Sequence, residues 1–233
     1  DRNVYFGTEN ARIVHSCTDL LPNKETVHPI GPTADALFAE LRKQMAAQPF
    51  AFAHVGGRYA DVSMHDEEIE LAMEIHSAWG TFEWLLEDAL QRGYRVGICA
   101  NSDGHKTHPG ASYPGASLFG SLGGLTCVLA PRLDRDSILQ AMRARHFYAT
   151  TGNRPLLDVR VTAADGREAM MGDPLVCPSG TAHLRVRVVG SAPIEKVVVR
   201  NGAEILAALW AYAAGDLGRR IKVVWSGAEV RGR

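Results

Sequence analysis

The places where the apolar runs of this chain stop constrain its fold more than any other feature. Residues 50–53 (Phe-Ala-Phe-Ala) end at His54. Residues 69–75 carry Glu74 and end at His76, and residues 94–100 end just before Asn101-Ser102-Asp103-Gly104-His105. Short apolar runs of this kind fit buried strands. Helical signals lie between them. Residues 34–47 place Leu37, Phe38, Leu41 and Met45 on one face, with Thr33 as a cap, and residues 82–92 run from Thr81 to Gly93. A strand over 125–130 and a helix over 138–145 behind Asp134 continue the alternation. Strands alternating with helices at this spacing predict a parallel sheet or an α/β barrel. Residues 1–30 hold Pro22 and Pro29 and no sustained period, so irregular structure is expected there.

The period changes after Thr151. Residues 156–162, 182–189 and 196–200 alternate apolar and polar side chains, and Asp165-Gly166, Ser179-Gly180 and Asn201-Gly202 separate them as turns. The expectation is an α/β domain over 1–151 followed by a smaller antiparallel β domain over 152–233. A helix is expected over 203–214 and a last strand over 221–225.

Composition excludes several classes. In 233 residues, 46% hydrophobic, 25 Lys and Arg face 26 Asp and Glu. That balance indicates neither a nucleic-acid partner nor an anionic membrane surface. Cys17, Cys99, Cys127 and Cys177 are scattered without a CxxC pair, as expected of buried reduced thiols in a cytoplasmic protein. No run is long enough to span a membrane, and no signal peptide is present. The chain opens on Asp1, which suggests a piece of a longer protein. Nothing in the sequence sets an oligomeric state.

The polar residues that end the strands carry the chemistry. In parallel α/β folds the carboxyl ends of the strands share one face, where active sites form. His54, Glu74 with His76, and Asp103 with His105 would meet there. Imidazole and carboxylate suit zinc, manganese or iron. Each residue also has an ordinary reading. A strand-end histidine can be a hydrogen-bonded core residue, Glu74 can pair with Arg58 or Arg95, and Asp103-Gly104 is a common turn pair. His15, His28, His65, His146 and His183 carry only the ordinary reading.

At these residues the chain resembles the PHP (polymerase and histidinol phosphatase) superfamily. Residues 101–105 resemble its final Asp-x-His metal motif, and residues 53–58 (Ala-His-Val-Gly-Gly-Arg) its preceding strand-end His motif. Residues 74–84 and 148–152 are similar to an uncharacterised PHP-like bacterial branch. The family opens with His-x-His, which this chain lacks, and residues 3–6 resemble a segment downstream of a family Glu. The resemblance therefore implies the latter part of a distorted (β/α)7 barrel, followed by the β domain. It also implies two or three divalent ions (Zn, Mn or Fe) held by His54, Asp103 and His105. Glu74 would be a further donor or would orient an imidazole, and His76 would be a ligand or general acid. Arg58 would clamp a phosphate, with Lys106 and His108 near substrate. The implied activity is hydrolysis of a small phosphorylated substrate by metal-activated water. No GxSxG motif suggests a serine nucleophile. Two alternatives stand: metal-dependent amide or cyclic-ester hydrolysis, and a non-catalytic binding module.

Overall fold

A computed structural model describes residues 1–16, 29–54, 60–105, 122–178, 180–216 and 218. Arg58, Lys106, His108 and the expected strand over 221–225 lie outside the described residues. The chain divides into two units, Asp1–Ser191 and Ala192–Arg233.

The first unit is built on one mixed sheet. Its strands are β1 (Arg2–Tyr5), β2 (Phe50–His54), β3 (Glu70–Ser77), β4 (Gly80–Thr81) and β5 (Gly97–Ala100). β3 is central. It runs parallel to β2, pairing Glu74 with His54, and parallel to β5, pairing Glu74 with Cys99. β1 lies antiparallel outside β2, and β4 folds back antiparallel on the end of β3. Helix α1 (Ala34–Arg42) buries Phe38 and Leu41 against Ala51 and Ile69. Helix α2 (Glu83–Gln91) buries Leu85 and Ala89 against Ala53 and Met73. Gly93, at φ +77°, takes the left-handed conformation that ends α2. Neither Thr33 nor Thr81 caps its helix through its side chain. Asp134 does cap α3 (Arg135–Arg143), accepting from the Ser137 N–H at 2.8 Å.

The expected (β/α)7 barrel is not what the chain forms. Among the described residues strands dominate, the three α-helices have nine residues each, and no sheet closes. The reason is strand direction. β6 (Leu125–Val128) and β7 (Phe147–Thr150) flank α3, yet they pair antiparallel with each other. The described part of the β2–β3 connection, residues 60–69, holds no helix. Without a repeating parallel βαβ unit there is nothing to close a barrel. Residues 1–30, expected to be irregular, contribute β1.

The change of period near Thr151 is a change of sheet inside the first unit. β8 (Leu156–Ala163) pairs antiparallel with β9 (Glu168–Met170) and β10 (Ala182–Val189). The second unit contains a hairpin of β11 (Lys196–Asn201) and β12 (Glu204–Trp210). The helix expected over 203–214 is therefore strand β12 instead. Gly202, at φ +58°, turns the chain so that Glu204 faces Asn201, and cross-strand pairing outweighs helix propensity. No helix among the described residues is long and apolar enough to cross a membrane.

A buried charge cluster fastens β1. Arg2 and Glu70 form an ion pair with side chains 3% and 0% exposed, in an approach not aligned for a hydrogen bond. Arg2 Nη2 donates to the carbonyls of Asp61 (2.7 Å) and Met64 (3.1 Å). His65 Nδ1 lies 2.7 Å from the other Glu70 oxygen, and its ring stacks on Tyr94. Removing one partner of such a pair leaves a buried charge behind. Arg2→Met is expected to cost about 3–5 kcal/mol. The same change with Glu70→Gln should cost less than the sum of the single changes. A double-mutant cycle in urea measures this, and strictly additive costs would show that the pair makes no net interaction.

Candidate functional site

The parallel strands β2, β3 and β5 end on one edge of the sheet, and three of the strand-end residues meet there. A pocket of about 450 Å³ opens at this edge, with Asn3, Tyr5, His54, Glu74, Asn101 and Asp103 among its walls. Glu74 is the hub. It is 1% exposed and accepts from three side chains: His54 Nδ1 at 2.8 Å, Asn3 Nδ2 at 3.0 Å and Asn101 Nδ2 at 2.5 Å. When His54 Nδ1 carries the proton, its Nε2 holds the lone pair. Nε2 faces Asp103 Oδ2 across 3.7 Å. That oxygen is buried and has no hydrogen-bond partner among the described residues.

The backbone at Asp103 explains the orientation. Its φ is +46°, in the left-handed region that aspartate tolerates better than most residues. The turn swings the carboxylate toward His54 and points its carbonyl at His105, whose Nδ1 donates to it at 2.8 Å. The His105 side chain is 43% exposed and sits near the edge of the Trp79 ring.

Burial and charge shift four groups. Burial works against the charged form of His54, but the hydrogen bond and charge of Glu74, helped by Asp103, outweigh it and raise its pKa. Burial raises the Asp103 pKa despite the opposing pull of His54 and His105. Tyr5 is pushed up to about 12, by burial first and then by Cys99 and Glu74. Burial, with Glu74 nearby, holds the Cys99 thiol well above its ordinary value, so this cysteine stays protonated and is a poor nucleophile.

Whether these residues suit a metal can be tested on their geometry. Two donor atoms 3.7 Å apart can both reach one ion at about 2.0–2.2 Å. His54 Nε2 and Asp103 Oδ2 meet that condition, and the orphaned oxygen wants a cation. Glu74 spends both oxygens on His54, Asn3 and Asn101, so it orients the imidazole, as carboxylates commonly do behind a metal-bound histidine. Among the described residues no group of three or more His, Cys, Asp or Glu side chains is gathered to hold an ion. The fit is therefore for one ion on two protein donors.

The structure does not bring His76 into this pocket. Its Nε2 donates to the Leu122 carbonyl at 3.0 Å, which leaves Nδ1 to accept from the Thr81 hydroxyl at 2.7 Å. His76 thus fastens β4 and the backbone at Leu122. Asn3 and Asn101 fall in segments that carry the resemblance but had no expected role of their own, and both hold Glu74. The position of Asn101 directly after an apolar strand was the available signal for it. Asn3 carried none, because only the β1–β2 pairing brings it near.

The shift at His54 sets a pH dependence. A folded-state pKa above the ordinary 6.5 means stabilisation that is complete below 6.5 and lost as pH rises through the folded value. In metal-free protein, Glu74→Gln removes the principal raising influence and leaves burial dominant. The His54 pKa should then fall below 6.5, as read from its ring signals in an NMR titration. An unchanged midpoint would mean that Glu74 does not control this imidazole.

Comparison with known proteins brings out relatives without assigned functions. The chain is 35% identical over 85 residues to an uncharacterised protein of Chlamydia pneumoniae, a match covering 34% of this chain and 13% of that protein. It is 27% identical over 163 residues to an uncharacterised protein of Chlamydia muridarum, covering 58% of this chain and 25% of that one. A third, from Chlamydia trachomatis, is 33% identical over 88 residues, 36% of this chain and 13% of the relative. The chain thus spans a quarter or less of the length of these curated relatives. No family profile and no solved structure matches it.

Proposed function

We propose that this chain forms part of a metal-dependent hydrolase acting on a small phosphorylated substrate. One observation carries the reading: a buried carboxylate fixes His54 so that its Nε2 faces the orphaned Asp103 oxygen, in a pocket at the ends of parallel strands. His54 and Asp103 would hold the ion. A bound divalent Zn, Mn or Fe supplies acidified water and neutralises phosphoryl oxygens as their charge develops.

The other residues of the chain have supporting roles. Glu74 sets the tautomer and angle of His54, and Asn3 and Asn101 keep Glu74 from turning away. The Tyr5 hydroxyl, pushed up to about 12, stays protonated at neutral pH and can donate to an anionic substrate group. His105, two residues beyond Asp103 and with its side chain 43% exposed, can meet substrate. Arg58 is the proposed phosphate clamp, on the strength of the motif it follows. The buried, protonated Cys99 favours attack by water over a covalent thiol route.

Calorimetric titration with Mn²⁺ or Zn²⁺ and turnover of p-nitrophenyl phosphate and its diester test the proposal. A chelator should abolish turnover. Glu74→Gln should weaken metal binding by about 10–100-fold, the range typical of a carboxylate behind a metal-bound histidine. Asp103→Asn, which removes a donor's charge, should weaken it at least as much, and His183→Ala on β10 should change neither measurement. Turnover that survives the chelator would overturn the proposal, and cleavage of amides in place of phosphate esters would move it to another substrate class.

A further inference from the structure

A second cavity shares no residue with the His54 pocket. It has a volume of about 490 Å³ and opens where the start of β5, β7, β8 and the turn at Met171-Gly172 come together. Ile75, Val96, Phe147, Leu157 and Met171 give it an apolar wall. The charged groups among its lining residues are Arg95 and Arg145.

That pairing is unfavourable as it stands. Arg95 Nη2 donates to the Gly172 carbonyl at 3.0 Å. Among the described residues Arg145 Nη2 reaches only the Glu67 carbonyl, at 3.4 Å, and its Nε is buried with no partner. Burial lowers the Arg145 pKa, the charge of Arg95 lowers it further, and Glu67 acts in the opposite direction without closing an ion pair. Asp173 also feels Arg95, but His146 occupies it at 2.7 Å. A buried guanidinium donor left unmet is costly, and a carboxylate or phosphate can satisfy two of its N–H groups together.

The site is also held in place. Arg145 adopts φ +62°, and Gly172, at φ +95°, packs so closely that a Cβ there would stand 2.4 Å from the Arg145 carbonyl oxygen. The turn at Gly172 therefore locks the backbone of one arginine and accepts a hydrogen bond from the other. The cavity volume falls in the usual range for small-molecule sites, and the combination of apolar wall and convergent charge is typical of them.

We propose that this cavity binds a small amphipathic anion. Its carboxylate or phosphate headgroup meets Arg95 and Arg145, and its apolar body lies against Phe147, Leu157 and Met171. This inference is independent of metal-dependent hydrolysis, because the two sites have no residue in common.

Calorimetric titration of the chain with decanoate and with decyl phosphate, both below their micelle-forming concentrations, tests it. Decanol, acetate and inorganic phosphate serve as controls. At least one of the two long-chain anions should saturate a single site, about tenfold or more tighter than decanol, acetate or phosphate. The tighter of the two identifies the headgroup. Arg95→Met with Arg145→Met should remove that preference for the anion. Leu157→Trp, which fills the apolar wall, should block both anions while circular dichroism stays unchanged. Should the arginine variant fail to fold, Leu157→Trp decides alone. Absence of saturable binding by either anion, equal affinity for decanol, or undiminished binding in a folded Leu157→Trp variant would overturn the proposal.

Discussion

The carboxylate of Glu74 is the interaction on which the rest of the first unit turns. A buried carboxylate that keeps its charge needs donors for both oxygens, because the cost of leaving water is otherwise unmet. Glu74 draws those donors from three places: Asn3 on β1, His54 on β2 and Asn101 after β5. Those segments reach it only when β1, β2, β3 and β5 are assembled in register. The bonds that make the sheet tolerable to a buried charge are also the bonds that orient His54 toward Asp103. Fold and site thus rest on one set of contacts.

A second acid on the same strand repeats the arrangement on the other face. Glu70 and Glu74 have a spacing that would put them on one face of a regular strand. A register shift between the pairs Ala51–Glu70 and Phe52–Ala72 inserts an extra residue in β3 and reverses the alternation. Glu70 then meets Arg2 and His65, while Glu74 meets Asn3 and His54. Successive residues of β1, Arg2 and Asn3, point to opposite faces and serve one acid each. A short edge strand therefore earns its place by satisfying buried charge on both sides of the sheet.

Antiparallel pairing reshapes what the alternation of strands and helices suggested. The β2, β3 and β5 core keeps the parallel order that gathers polar strand ends on one edge. Around it, β1 and β4 run antiparallel to the strands they join, and β6 and β7 pair antiparallel with each other in a separate sheet. The result, among the described residues, is an open sheet whose edge, unlike a barrel mouth, is lined by the ends of few strands. Among the described residues, His54 and Asp103 face one another at that edge, while His76 is bonded to Thr81 and Leu122.

The sequence by itself determined the strand cores at 50–53, 70–75 and 97–100, the last shorter than the 94–100 expected, together with the helices behind them and the polar residues that end each strand. These follow from local signals: burial periodicity, the Asp134 cap and the Gly93 stop. The approach of His54, Glu74 and Asp103 was legible too, because parallel strands deliver their ends to one edge. The tertiary structure alone decided the direction of β6 against β7, the bulge that separates Glu70 from Glu74, and the bond from Asn3 to a carboxylate 71 residues away. It also made a strand of residues 204–210, where local propensity favoured a helix. For the first three the physical reason is the same: pairing energy comes from residues far apart along the chain, and no short window of sequence contains both partners. β12 pairs instead with its neighbour β11 across Asn201-Gly202, where cross-strand bonds outweigh helix propensity.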